Sequence, residues 1–145
     1  MTIRKLTPSD RATYLDFVHR FYHSEAVLHP VPDTHFEATF SELMASDTYA
    51  ECFFFEEEGK PVGYALLAKT FSQEAGGLTL WIEELFVLPE YRSCGFGSQF
   101  FAFLEETYPH AKRLRLEVEE ENTRARALYE RKGFEPLPYL QLMKE

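Results

Sequence analysis

Apolar residues along this chain switch between two rhythms, one recurring every three or four positions and one running together or alternating. The short run "IRKL" reads as an opening strand. From Thr7 the rhythm becomes helical, with Tyr14, Phe17, Val18 and Phe21 on one face. Thr7 has the chemistry of an N-cap, Pro8 suits the first helical position and Asp10 falls in the first turn. "HPVPD" breaks the pattern, and Thr34 followed by Glu37 has the spacing of a capping box that opens a second helix, "THFEATFSELMAS". Two apolar runs in "YAECFFFEEEGKPVGYALLAKTFS" flank a turn in which Gly59 supplies a positive φ, so this stretch predicts a hairpin. "LTLWIEELFVL" reads as a long strand, "SQFFAFLEETY" as a helix and "RLRLEVEEE" as a strand. "NTRARALYERKG" is a helix with Asn122 as its N-cap and Gly133 just past its end. A last strand is expected within "FEPLPYLQLM", where Pro136 and Pro138 restrict it to a sheet edge or a bulge.

The resulting order, β-α-α-β-β-β-α-β-α-β, predicts a mixed sheet with helices against it, an α/β or α+β layer fold. A length of 145 residues suits a single domain over 1–145, and 45% apolar residues, with 14 Phe and 8 Tyr among them, are enough to fill its core. "MTIRKLTPSD" has no apolar h-region and no run reaches the length of a membrane span, so the cytoplasm is the expected location, without a membrane partner. Cys52 and Cys94 are expected to be free thiols. A formal net charge of −9 argues against nucleic acid and would suit a cationic substrate. His19 and His23 are four apart but lack a third ligand, so no metal site is expected.

Between the long strand and the next helix lies "PEYRSCGFGSQFF". A glycine-rich turn ahead of a helix presents unpaired N–H groups and a partial positive charge, which suits a phosphate, and Arg92 adds a cation. The dinucleotide fingerprint fails here because Phe100 occupies its third glycine position, and a Walker loop fails for want of a lysine. Two motifs decide between the remaining readings. Arg92-x-x-Gly95-x-Gly97 follows the strand, and Asn122-x-x-Ala125-x-x-x-Tyr129-x-x-x-Gly133-Phe134 follows downstream. Together they resemble the GCN5-related N-acetyltransferase (GNAT) superfamily, and the element order resembles it over nearly the whole chain.

That resemblance implies a mixed, mostly antiparallel sheet of about six to seven strands flanked by four helices. It implies acetyl-CoA as co-substrate, with its pyrophosphate at Arg92, Ser93, Cys94, Gly95, Phe96, Gly97 and Ser98. Cys94 stands where the family often has Lys or Arg, so the loop has one cation fewer than is common. Backbone groups of Leu85, Phe86 and Val87 would pair with pantetheine as an added strand would, and Asn122 would hydrogen-bond the cofactor. Tyr129 is implied as the acid that protonates the leaving thiolate.

Glu83 and Glu84 interrupt an apolar strand, where a carboxylate is costly unless satisfied or functional. Adjacent strand residues point to opposite faces, so at most one is expected to face the core unless a bulge intervenes. Glu83 is the expected base, acting through water, and Glu84 its substrate-side or structural partner. Acceptor specificity is expected from the first two helices and their connection, where Tyr22, His23, Glu25, His29 and His35 cluster. The function expected is direct acetyl transfer to a primary amine: a polyamine, an aminoglycoside, or a peptide or lysine amine. The alternative is a catalytically silent CoA-binding sensor or interaction domain on the same fold. A homodimer through the apolar "PYLQLM" edge is also expected.

Overall fold

The computed structural model describes residues 1–145. Strand β1 (Thr2–Lys5) is followed by a 3-10 turn at Pro8–Asp10 and helix α1 (Arg11–Tyr22). Asp10 closes the turn by accepting a 2.8 Å hydrogen bond from the Thr7 amide. The same carboxylate is paired with Arg4 of β1 at 2.8 Å, which pulls the Asp10 pKa down to about 2 and ties the strand to the helix start. Helix α2 (Asp33–Ala45) begins one residue before Thr34, with Pro32 rather than Thr34 as its N-cap. The proline ring fixes φ at −59° and, with ψ at 139°, the chain turns into the helix without a side-chain cap.

Strands β2 (Ala50–Glu57) and β3 (Lys60–Ser72) form the expected hairpin. Both turn residues, Glu58 and Gly59, have positive φ, the type I′ conformation whose twist matches the strands. Strand β4 (Gly77–Val87) pairs antiparallel with β3, helix α3 (Phe96–Thr107) crosses over, and β5 (Arg113–Leu116) pairs parallel with β4. Helix α4 (Thr123–Arg131) completes the set. The Asn122 carbonyl oxygen accepts from the Ala125 amide at 3.3 Å, and Gly133 at φ +88° follows the helix end, as expected.

The sheet has five strands in the order β1-β2-β3-β4-β5, fewer than the six to seven expected. Two stretches account for the difference. "RLRLEVEEE" pairs only as far as Leu116, beyond which four of the next five residues are glutamates. "FEPLPYLQLM" pairs with nothing; Pro136 and Pro138 remove two of its ladder donors.

Helices cover both faces. Residues alternate through the buried run Cys52-Phe53-Phe54-Phe55, so Cys52 and Phe54 join α1 and α2 while Phe53 and Phe55 join α3. Tyr64, Leu66 and Phe86 extend the first layer, and Val62, Ala65, Leu67 and Ile82 extend the second. Each fully buried Phe contributes about 1.5–3 kcal/mol by leaving water. No helix is long and apolar enough to cross a membrane.

Candidate functional site

The site begins with an irregularity in β4. Leu66 of β3 pairs with Glu84, but Leu67 pairs with Ile82, which leaves Glu83 as the extra residue of a β-bulge. Ile82 faces the α3 layer and Glu84 faces the α1/α2 layer. The bulge places Glu83 on the Glu84 side, and both carboxylates line one cavity of about 340 Å³ beneath α1 and α2. Strict alternation would have sent them to opposite faces, so the bulge reverses that expectation.

The two carboxylates have different surroundings. Glu84 is buried, and its oxygens accept 2.7 Å hydrogen bonds from the hydroxyls of Tyr22 and Tyr64. Burial raises its pKa, the two phenols partly offset that rise, and neighbouring Glu83 adds to it. Glu83 makes no protein hydrogen bond and is the more open of the pair. Partial burial raises its pKa, with Glu117 beyond β5 as a second cause.

The same strand loses its other neighbour just past the bulge. Pairing with β5 covers Thr79 to Ile82 and ends there, so Leu85–Val87 keep β3 on one side and an open edge on the other. That edge opens into a cleft of about 610 Å³ between β4 and α4. After Pro89 the loop turns through Ser93 at φ +62° and Gly95 at φ +86° into α3. The helix starts at Phe96, two residues earlier than expected, so the unpaired first-turn amides belong to Phe96, Gly97 and Ser98.

Ten of the eleven cofactor residues expected from sequence line this cleft: Leu85, Phe86, Val87, Arg92, Ser93, Gly95, Phe96, Gly97, Ser98 and Asn122. Cys94 does not; it is exposed, and its thiol lies 3.6 Å from the Arg92 carbonyl. Phe96 is also a core residue, stacked on Phe55. Gly97 has a packing role as well, because a Cβ there would lie 2.6 Å from Leu128 of α4. Its missing side chain lets α3 and α4 approach.

Tyr129 lines the cleft opposite β4, wedged edge-on against Phe101 and Phe134. Burial pushes its pKa up to about 12, so the phenol keeps its proton at neutral pH. Two cations escaped the sequence reading. Arg124 donates to Ser93 Oγ at 3.0 Å, and both Arg124 and Arg131 border the cleft. Their spacing of seven, two helical turns, was the available signal. The Tyr22–Glu84–Tyr64 cluster was also not legible, since its members are 62 and 20 residues apart. His19 and His23 stack at 4.2 Å, and no three potential metal ligands come together.

A profile of the family described as "Acetyltransferase (GNAT) family" matches residues 14–134. The chain belongs to this family. It is 34% identical over 82 residues to an uncharacterized N-acetyltransferase, YhfO, of Bacillus subtilis (strain 168), a match spanning 55% of each chain. A possible acetyltransferase of Clostridium difficile 630 has the same fold, with a TM-score of 0.83 at 22% identity over 99% of this chain and 96% of that one. So does AAC(6')-Iy in complex with the bisubstrate analog CoA-S-monomethyl-acetylneamine, at a TM-score of 0.80 and 18% identity over 99% and 97%. As expected of a member of the GNAT family, the Arg92–Gly97 loop leads into α3 and the Asn122–Phe134 motif spans α4.

Proposed function

We propose that residues 1–145 form one N-acetyltransferase domain that moves the acetyl group of acetyl-CoA directly to a primary amine. One observation carries this reading: a single strand, β4, lines both the long cleft with Leu85–Val87 and the acidic cavity with Glu83 and Glu84. Helix α1 repeats the adjacency, with Phe21 on the cleft and Tyr22 on the cavity. A donor laid along the open β4 edge therefore ends beside the place where an amine would sit.

The parts divide the chemistry among them. The α3 amides, Arg92, Arg124 and Arg131 suit the phosphates of CoA, the two added arginines making up for Cys94. The unpaired β4 backbone near Leu85 suits the pantetheine amides and supplies an N–H to the thioester oxygen as charge develops there. Glu83, raised towards a useful base, takes the proton of the ammonium through a water. The freed nitrogen forms the N–C bond, the C–S bond breaks, Tyr129 gives its proton to the thiolate, and the extra proton still on the new amide nitrogen passes through water to restore the Tyr129 phenol. Glu84, held by its two tyrosines, keeps a negative field on the amine. The test is release of free CoA from acetyl-CoA with and without amines. Amine-dependent release supports the reading; CoA binding without turnover would instead indicate a silent CoA-binding domain.

A second copy of the chain belongs to the same reading. Leu140, Leu142 and Met143 are 86%, 88% and 81% exposed, and β5 has a free edge on the side away from β4. An apolar tail and an unpaired edge suit strand addition between two protomers. Light scattering at micromolar concentration should give a dimer, and truncation after Phe134 a monomer; a monomeric full chain would contradict this. Cytoplasmic residence completes the proposal, the two free thiols suiting a reducing compartment.

A further inference from the structure

The cavity that holds Glu83 and Glu84 is far less polar than its two carboxylates suggest. Nine of its thirteen lining residues are hydrophobic, with Val31, Phe36 and Leu66 among its apolar walls. At about 340 Å³ it lies at the lower end of the range, about 300–1,000 Å³, that small-molecule sites occupy. Three of its polar side chains, Tyr22, Thr39 and Glu84, are spent within the protein. Both Glu84 oxygens accept from tyrosines, the Tyr22 hydroxyl is used in one of those bonds, and the Thr39 hydroxyl donates to the His35 carbonyl at 2.8 Å. Glu83 is the one carboxylate left open, with the His35 ring and the Tyr14 hydroxyl as the other open polar groups of the lining.

The geometry points to a primary amine on a short apolar or aromatic stem as the acceptor, a small alkylamine or arylalkylamine. This rests on the acetyl-transfer reading above and narrows it. The ammonium lies at the Glu83 end beside the bulge, and the stem fills the space between Phe36, Val31 and Leu66. Tyr22 and Phe36, with ring centroids 5.0 Å apart, supply an aromatic wall for it. A polyamine would carry its further ammonium groups into that wall, away from any free carboxylate. An aminoglycoside would bury many hydroxyls and ammoniums against only three open side chains, Glu83, His35 and Tyr14. A buried polar group without a partner is disfavoured more strongly than a methylene is favoured. The net charge of −9 draws cations in general but selects none of these, so the discrimination comes from the walls.

The experiment compares kcat/KM for phenethylamine, n-hexylamine, spermidine and neamine, read as CoA released from acetyl-CoA by the wild-type protein, with acetyl-CoA binding measured separately by calorimetry. The expected result is a preference of at least about a hundredfold for the two apolar amines. A preference for spermidine or neamine would overturn the inference while leaving acetyl transfer standing. Binding of acetyl-CoA with no turnover of any amine would overturn both. A cavity variant adds an independent readout. Ala50→Leu, at the cavity wall, should shift the preferred acceptor to a shorter stem without changing the KM for acetyl-CoA. An unchanged preference in a variant with a normal thermal transition would also overturn it, and if the variant does not fold, the wild-type ratios decide.

Discussion

The Tyr64 hydroxyl donates a 2.7 Å hydrogen bond to Oε1 of Glu84, deep inside the α1/α2 layer and 20 residues away in sequence. This bond keeps a carboxylate within an aromatic core. Tyr64→Phe leaves that oxygen unpaired and should destabilise the fold by about 1–3 kcal/mol in urea denaturation. The sign of its pH dependence follows from the raised Glu84 pKa. A carboxyl raised in the folded state contributes most below its unfolded value and loses that contribution as pH rises through the folded value. Tyr64→Phe raises it further, so the loss of stability should be larger at neutral than at acidic pH.

As the proposed base, Glu83 should govern the acid limb of the rate. Its pKa is raised by burial and by Glu117, so kcat/KM should fall as pH drops through a value above the ordinary 4.5. Glu83→Gln should lower kcat/KM by about a hundredfold or more and flatten that limb. A pH–rate profile unchanged in shape would remove Glu83 as the base.

The two glycines of the loop act differently, and alanine separates them. Gly95→Ala forces a side chain onto φ +86°, a strain of about 1–2 kcal/mol at the helix start, and should weaken CoA binding by calorimetry. Gly97→Ala pushes into Leu128, where overpacking should cost about 1–3 kcal/mol of stability. Leu128→Ala should restore much of the loss in the Gly97→Ala background, measured as a double-mutant cycle.

Much of this architecture was legible because its signals are local. Asn122, Gly133 and Gly59 each mark a chain end or turn whose backbone needs that residue type, and each stands where expected. The Arg92–Gly97 loop was legible only together with the Asn122–Phe134 motif and the family resemblance that the two carry. What escaped depends on partners distant in sequence. The pairing register alone reveals the Glu83 bulge, and two adjacent glutamates say nothing about it. The role of Gly97 against Leu128 needs the approach of two helices. The carboxy-terminal strand expected within "FEPLPYLQLM" failed because an apolar stretch with two prolines does not say whether a partner strand exists, and here it pairs with none.

In the proposed mechanism Tyr129 donates a proton rather than holding the donor. Tyr129→Phe keeps the ring against Phe101 and Phe134 and removes only the hydroxyl. Turnover should fall by about a hundredfold with the KM for acetyl-CoA nearly unchanged in steady-state kinetics. Because burial lifts its pKa to about 12, the wild-type enzyme should show no alkaline loss from this group below about pH 11.

Mass spectrometry of the protein mixed with acetyl-CoA and, in turn, phenethylamine, n-hexylamine, spermidine and neamine tests the central claim most directly. Direct transfer requires N-acetylated amine and free CoA to appear together while the mass of the protein stays constant. Bound acetyl-CoA without acetylated amine, or an acetyl group carried on the protein itself, would contradict it.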